Sequence, residues 1–145
     1  MAAERTARVT WQGDLVSGSG TFSLGSRAVT GLDVTWASRT EEPAGKTSPE
    51  ELIAAAFASC FSMALSHGLA QAGTPPTRLD TEATATFERT DAGFRMTRMA
   101  VRVRGEAAGV DAEAFRRAAE TAKDGCPVAQ ALKGNVEIAL DAALA

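Results

Sequence analysis

Two thiols are the residues best suited to chemistry: Cys60, inside an apolar stretch, and Cys126, in the tripeptide Gly125-Cys126-Pro127. A free cysteine with a pKa near ~8.5 is mostly protonated at neutral pH, so a reactive one needs a positive neighbour or a helix N-terminus. Pro127 suits the first position of a helix, which puts Cys126 at or beside an N-cap, where free amides and the helix dipole favour a thiolate. Local sequence therefore points to Cys126 as the nucleophile. Cys60, taken alone, reads equally well as a small hydrophobe filling a core helix. The separation of the two matches no zinc pattern, and His67 adds one lone ligand, so neither a metal nor another cofactor is expected.

Three charged residues need separate treatment. Glu51 stands at the fourth position of Ser48-Pro49-Glu50-Glu51, an S-x-x-E capping box in which its carboxylate would reach back to the Ser48 amide. Helix-end chemistry thus accounts for Glu51, while Glu50, one residue earlier, is free to point elsewhere. Arg39 is by default an exposed charge. Near a cysteine it would favour the thiolate, and a carboxylate bridging to it would hold its guanidinium in one orientation through a two-pronged hydrogen-bond pair.

The elements that must position these groups follow from periodicity. Thr6 to Trp11, Thr21 to Leu24 and Ala28 to Trp36 read as strands of a meander with turns at Gly18-Ser19-Gly20 and Gly25-Ser26-Arg27. Ala37 to Thr47 reads as a long loop of the kind that carries function. A helix starts at Ser48-Pro49 and runs to about Ala72, ended by Gly73 and Pro75-Pro76. Its stretch Leu52 to Leu65 is apolar or small on every face, which predicts burial in the centre of the fold. Thr81 to Arg89 and Phe94 to Arg104 form a hairpin about Thr90-Asp91-Ala92-Gly93. A second helix opens near Asp111 with Phe115, Ala118, Ala119 and Ala122 on one face. A short helix over Pro127 to Leu132 and a last strand over Val136 to Asp141 complete an α+β order.

At 145 residues and 45% hydrophobic content the chain fits a single domain over 1–145. A net charge of -3 with interleaved acids and bases argues against a nucleic-acid face. The N-terminus lacks the pattern of a secretory signal, and no apolar run reaches the roughly 18 to 20 residues of a membrane span. A soluble, cytoplasmic protein is expected, with no nucleic-acid or membrane partner. In that reducing compartment a bond between two cysteines would be transient, and catalytic or sensory.

The segment Ser48-Pro-Glu-Glu-Leu-Ile-Ala-Ala-Ala-Phe-Ala-Ser-Cys-Phe-Ser-Met-Ala-Leu-Ser66 closely resembles the central helix of the OsmC/Ohr family of organic hydroperoxide reductases. Gly125-Cys-Pro-Val-Ala-Gln-Ala-Leu132, followed by Val136 to Leu144, is similar to the family's second cysteine segment and closing strand. With the strand order, the likeness covers nearly the whole chain, and an Arg shortly before the helix places it nearer the OsmC branch. Ser48 stands where Asn is usual, and Ala56-Phe57 replaces a frequent Ala-His or Gly-Tyr.

The resemblance implies antiparallel sheets wrapped around a long buried central helix in an intertwined homodimer. It also reverses the local preference between the thiols: Cys60 becomes the peroxidatic cysteine, Cys126 the resolving one, and an Arg39 to Glu50 pair the activator of Cys60. The implied activity is reduction of organic hydroperoxides through a Cys60 sulfenic acid and a Cys60-Cys126 disulfide, reopened by a dithiol such as a protein-bound lipoyl group. The implied role is in oxidative and osmotic stress. An apolar helix around Cys60 suits alkyl or fatty-acid hydroperoxides, because the organic tail gains roughly 25 cal/mol per Å² buried. Two other readings stay open: a redox sensor that forms the same disulfide without turnover, and a structural protein with inert thiols.

Overall fold

The computed structural model describes residues 1–145, which separate into two compact units, Met1–Leu52 and Ile53–Ala145. In the first, β1 (Ala7–Gln12), β2 (Ser19–Leu24) and β3 (Leu32–Val34) form an antiparallel sheet in the order β1-β2-β3. The turn between β2 and β3 holds Arg27 at φ 64° and Gly31 at φ 68°, left-handed conformations that stop the third strand from reaching back to Ala28.

The residues expected to continue that strand into a loop instead make a short helix, α1 (Trp36–Thr40). Its start is a reciprocal cap. The Ser38 amide donates to Thr35 Oγ1 and the Thr35 amide donates to Ser38 Oγ, each at 3.0 Å. Ser38, buried, also donates from its hydroxyl to the carbonyls of Thr35 and Thr47, both at 3.0 Å, which ties α1 to the segment that enters the next helix.

That helix, α2 (Pro49–Gln71), is continuous over 23 residues and, by length and composition alone, long and apolar enough to cross a membrane. One stripe of it, Phe57, Phe61, Leu65 and Leu69, is almost wholly inaccessible, at spacings of three and four residues. The opposite face is open in the single chain: Ala55, Ala56 and Ser59 are exposed, and Met63 keeps 71% of its surface. The expectation of burial on every face therefore holds for one stripe only. The cap at its start is likewise half-formed. The Glu51 amide donates to Ser48 Oγ at 3.2 Å, but the Glu51 carboxylate accepts from the Thr47 hydroxyl at 2.5 Å rather than from the Ser48 amide.

The second unit contains the hairpin β4 (Pro76–Thr90) and β5 (Gly93–Ala107), then α3 (Ala112–Gly125), α4 (Pro127–Leu132) and β6 (Glu137–Leu144). Sheet order is β4-β5-β6. The hairpin is antiparallel, but β6 pairs with β5 in parallel, Arg98 opposite Glu137 through Gly105 opposite Leu144. This sheet is mixed, where antiparallel pairing alone was expected. The reason is the crossover: α3 and α4 carry the chain back to the end of the sheet at which β5 began, as parallel neighbours require.

Met99, Val101 and Val103 on β5 point into the core with the α2 stripe and with Phe115, Ala119 and Ala122 of α3. Burying a large side chain of this kind contributes about 1.5–3 kcal/mol. Asp111 caps α3 by accepting from the Ala114 amide at 2.8 Å, and Phe115 is the first residue of the buried face. Gly105 of β5 sits under the Phe115 ring, so that α3 approaches the sheet at a distance no side chain at 105 would permit.

Candidate functional site

Within the first unit the sequence brings an arginine and a glutamate together. Arg39 Nε donates to Glu50 Oε1 and Oε2, each at 3.1 Å, and Arg39 Nη2 donates to Oε1 at 2.7 Å. The guanidinium also lies over the Trp36 ring, 5.8 Å from its centroid. A planar fork on a carboxylate and an aromatic face on its flank restrict the cation in two directions. Glu50 is buried, with 10% of its side chain accessible against 32% for Arg39. A carboxylate so far removed from water needs a cation or several donors, and Arg39 is that partner. Position matters as well: Glu50 lies in the first turn of α2, where the helix dipole favours negative charge.

The two glutamates thus separate as their positions foretold. Glu50 turns away from the helix end to hold Arg39, and Glu51 stays with the helix start. The Trp36 platform and the Thr35 to Ser38 cap were not anticipated. The signal was present, since Thr35-Trp36-Ala37-Ser38 has a cap residue followed three places later by a second hydroxyl, but Val34 and Trp36 beside it read as strand.

Within the second unit lie both thiols, and neither is in a disulfide. Cys60, on α2, is half-buried on the flank between the packed stripe and the open face and, like Ile53 and Ala64, packs against the core. Cys126 closes α3 and opens α4 and is completely inaccessible, packed with the core. The fold places these residues, far apart in the chain, within hydrogen-bonding reach of each other. Burial pushes the Cys126 thiol above its usual range, and the hydrogen bond with Cys60 raises it further. The Ala129 and Val128 amides of the first turn of α4 act in the opposite direction, without closing a full cap hydrogen bond to the sulfur. Desolvation outweighs the helix start. The setting that made Cys126 look the more reactive is real, but burial raises the thiol's pKa and keeps it out of solvent.

His67 is exposed on α2, and no group of three or more His, Cys, Asp or Glu side chains is placed to hold a metal ion. Two sulfurs in contact, one reachable and one sealed, can exchange a bond: an oxidised sulfur at 60 has a thiol beside it with which to form a disulfide.

A family model described as OsmC-like protein matches residues 41–141, a span that includes Glu50, Cys60 and Cys126. The chain belongs to the OsmC-like family. It is 42% identical to the peroxiredoxin OsmC of Escherichia coli over 141 residues, covering 97% of this chain and 96% of that protein. It is 33% identical to the organic hydroperoxide resistance protein OhrA of Bacillus subtilis over 101 residues, 67% of each chain. The OsmC-like fold is shared with the crystal structure of OhrB of Bacillus subtilis, with a TM-score of 0.75 at 24% identity over 94% of this chain and 97% of that one. It is shared also with an OsmC organic hydroperoxide resistance protein of Legionella pneumophila, with a TM-score of 0.72 at 22% identity over 98% and 99%.

Proposed function

We propose that this OsmC-like protein is a cysteine-based peroxidase that reduces organic hydroperoxides to alcohols. The observation that carries the reading is the contact of the half-buried Cys60 thiol with the sealed Cys126 thiol. The names of the relatives, a peroxiredoxin and an organic hydroperoxide resistance protein, support it.

In the proposed cycle the Cys60 thiolate attacks the outer oxygen of the hydroperoxide. The O–O bond breaks, the alkoxide leaves as alcohol after taking a proton, and Cys60 becomes a sulfenic acid. Cys126 then attacks the Cys60 sulfur, water leaves, and a disulfide remains. A dithiol reopens it, so that two electrons pass from dithiol to hydroperoxide in each turn. Arg39, oriented by Glu50 and Trp36, is the proposed activator of Cys60, favouring its thiolate. The apolar and small residues that surround Cys60 along α2 favour a substrate with an organic tail over hydrogen peroxide. The open face of α2 about Ala56 and Met63 supports a homodimer in which a second copy covers it. A reducing compartment such as the cytoplasm would supply the dithiol.

The test follows loss of cumene hydroperoxide by the reduced protein with excess dithiol. Catalytic turnover is expected in the parent protein and none in Cys60→Ser; Cys126→Ser is expected to react once and then stall as sulfenic acid or overoxidise. Disulfide formation without turnover on any dithiol would make the protein a sensor. Full turnover by Cys60→Ser would overturn the assignment.

A further inference from the structure

The two sulfurs of the proposed disulfide are not equivalent to an attacking reductant, and the difference is built into the fold. Thiol–disulfide exchange needs an incoming sulfur close to one sulfur of the bond, roughly in line with it and opposite the one that departs. Cys126 has no accessible surface and lies in the core beside residues of α3 and α4, among them Ala122 and Ala129, which are themselves buried. Cys60, by contrast, is only half-buried on α2 and keeps part of its surface accessible.

We propose that the reducing dithiol attacks the disulfide at the sulfur of Cys60 only, and that Cys126 is always the departing thiolate. The proposal rests on the peroxidase reading and adds a direction to its last step. One thiolate of the dithiol bonds to Cys60 Sγ, and the electron pair of the S–S bond leaves with Cys126, which takes a proton. The second thiolate of the dithiol then attacks the first, closing a cyclic disulfide and releasing Cys60 as thiolate. Two electrons have moved from the dithiol to the two cysteines; of its two thiol protons, one ends on Cys126 and the other passes to solvent as Cys60 is left a thiolate.

Leaving-group chemistry alone opposes this choice. The buried thiol has the raised pKa, and the better departing sulfur is the one of lower pKa. Access decides the contest, because a sulfur with no surface is attacked only after the surrounding helices open, and such opening adds its own free energy to the barrier. The amides of Val128 and Ala129 offset part of the cost by facing the thiolate as it forms. Cys60 is then the electrophile twice, first as sulfenic acid and then as disulfide. Hydroperoxide and reductant must reach it by the same opening.

The intramolecular disulfide is prepared in the intact protein with diamide, which needs no peroxidase activity, and treated briefly with the monothiol 2-mercaptoethanol. Acid quenching, alkylation of free thiols with N-ethylmaleimide and peptide mass mapping then locate the adducts. Mercaptoethanol on Cys60 and maleimide on Cys126 are expected, in at least about tenfold excess over the reverse. The reverse pattern, or equal amounts, overturns the proposal. If reversal is too fast to trap an adduct, a thiol reagent on the reduced single variants decides it. Ellman's reagent is expected to label Cys60 in Cys126→Ser at least about tenfold faster than Cys126 in Cys60→Ser, and equal rates overturn it. Absence of a hydroperoxide-driven disulfide, by contrast, would count against the peroxidase reading and leave this regiochemistry standing.

Discussion

Replacing Gly105 by alanine probes the packing that sets Cys126 in place. A Cβ at 105 would stand 2.5 Å from Cε2 of Phe115, closer still to its Cζ, and 3.0 Å from Cδ2 of Leu79. Carbon atoms rest at about 3.5–4.0 Å, so the ring must move by roughly 1 Å. It has nowhere to go: Phe115 has no accessible surface and belongs to α3, which packs on β6. Overpacking of this kind costs about 1–3 kcal/mol. At roughly 3–4 °C per kcal/mol for a chain of this size, Tm should fall by about 3–12 °C. Thermal and urea unfolding followed by circular dichroism measure it. Because α3 ends at Cys126, diamide should also close the disulfide more slowly in the variant. Phe115→Leu in the same chain removes the clashing ring edge, so the double variant should lose at least about 0.5 kcal/mol less than the sum of the single losses. A Tm within about 1 °C of the parent would refute the reasoning, as would strictly additive losses.

Arg39→Lys keeps the charge but loses the planar fork on Glu50, and peroxide consumption is expected to fall by about tenfold or more with a small change in Tm; a parent-like rate rejects Arg39 as activator. Glu50→Ala should slow the reaction less than Arg39→Ala, since it leaves the cation in place but unfixed, and the opposite order in stopped-flow peroxide assays rejects the pair as described. Ser48→Ala removes the acceptor of the Glu51 amide and should cost about 1 kcal/mol, with Glu51→Ala costing about 0.5 kcal/mol or less, because Glu51 does not bond to the Ser48 amide; urea midpoints check the order. Burial raises the Cys126 thiol, so the folded protein holds that proton more tightly than the unfolded chain, and stability should decline as pH rises above the ordinary cysteine value of about 8.5. Thiolate absorbance of the reduced protein should accordingly show a thiol ionising above that value, and two thiols ionising below it would contradict the burial argument.

Much of this architecture was legible because its determinants are local. Pro127 with its preceding cysteine, Asp111 three residues before Ala114, and the Asp91 to Gly93 turn each act on their own neighbourhood, and α4, the start of α3 and the hairpin came out where those residues put them. Cys60 and Cys126 were named as a pair through the likeness of two segments, not through any force readable in either. Pairing partners were less visible. Nothing in Glu137 to Leu144 says whether its neighbour runs with it or against it, so the parallel register with β5 had to come from the structure. The helix under Arg39 was hidden by strand-forming neighbours, Val34 and Trp36, whose propensity lost to a cap made by Thr35 and Ser38. The carboxylate of Glu51 went to the Thr47 hydroxyl because that donor lay one turn back, a competition that a four-residue box does not encode.

Cys126 is the joint of two helices: its amide bonds back to the Ala122 carbonyl and its carbonyl receives the Gln130 amide, both at 2.9 Å. Drawing its sulfur from its place in the free thiol to the ~2.05 Å of a covalent bond pulls on both of those links at once. Deuterium uptake at the Cys126 and Gln130 amides should therefore differ between the dithiol and disulfide forms, giving a label-free gauge of which form a sample holds while the hairpin β4-β5 stays silent.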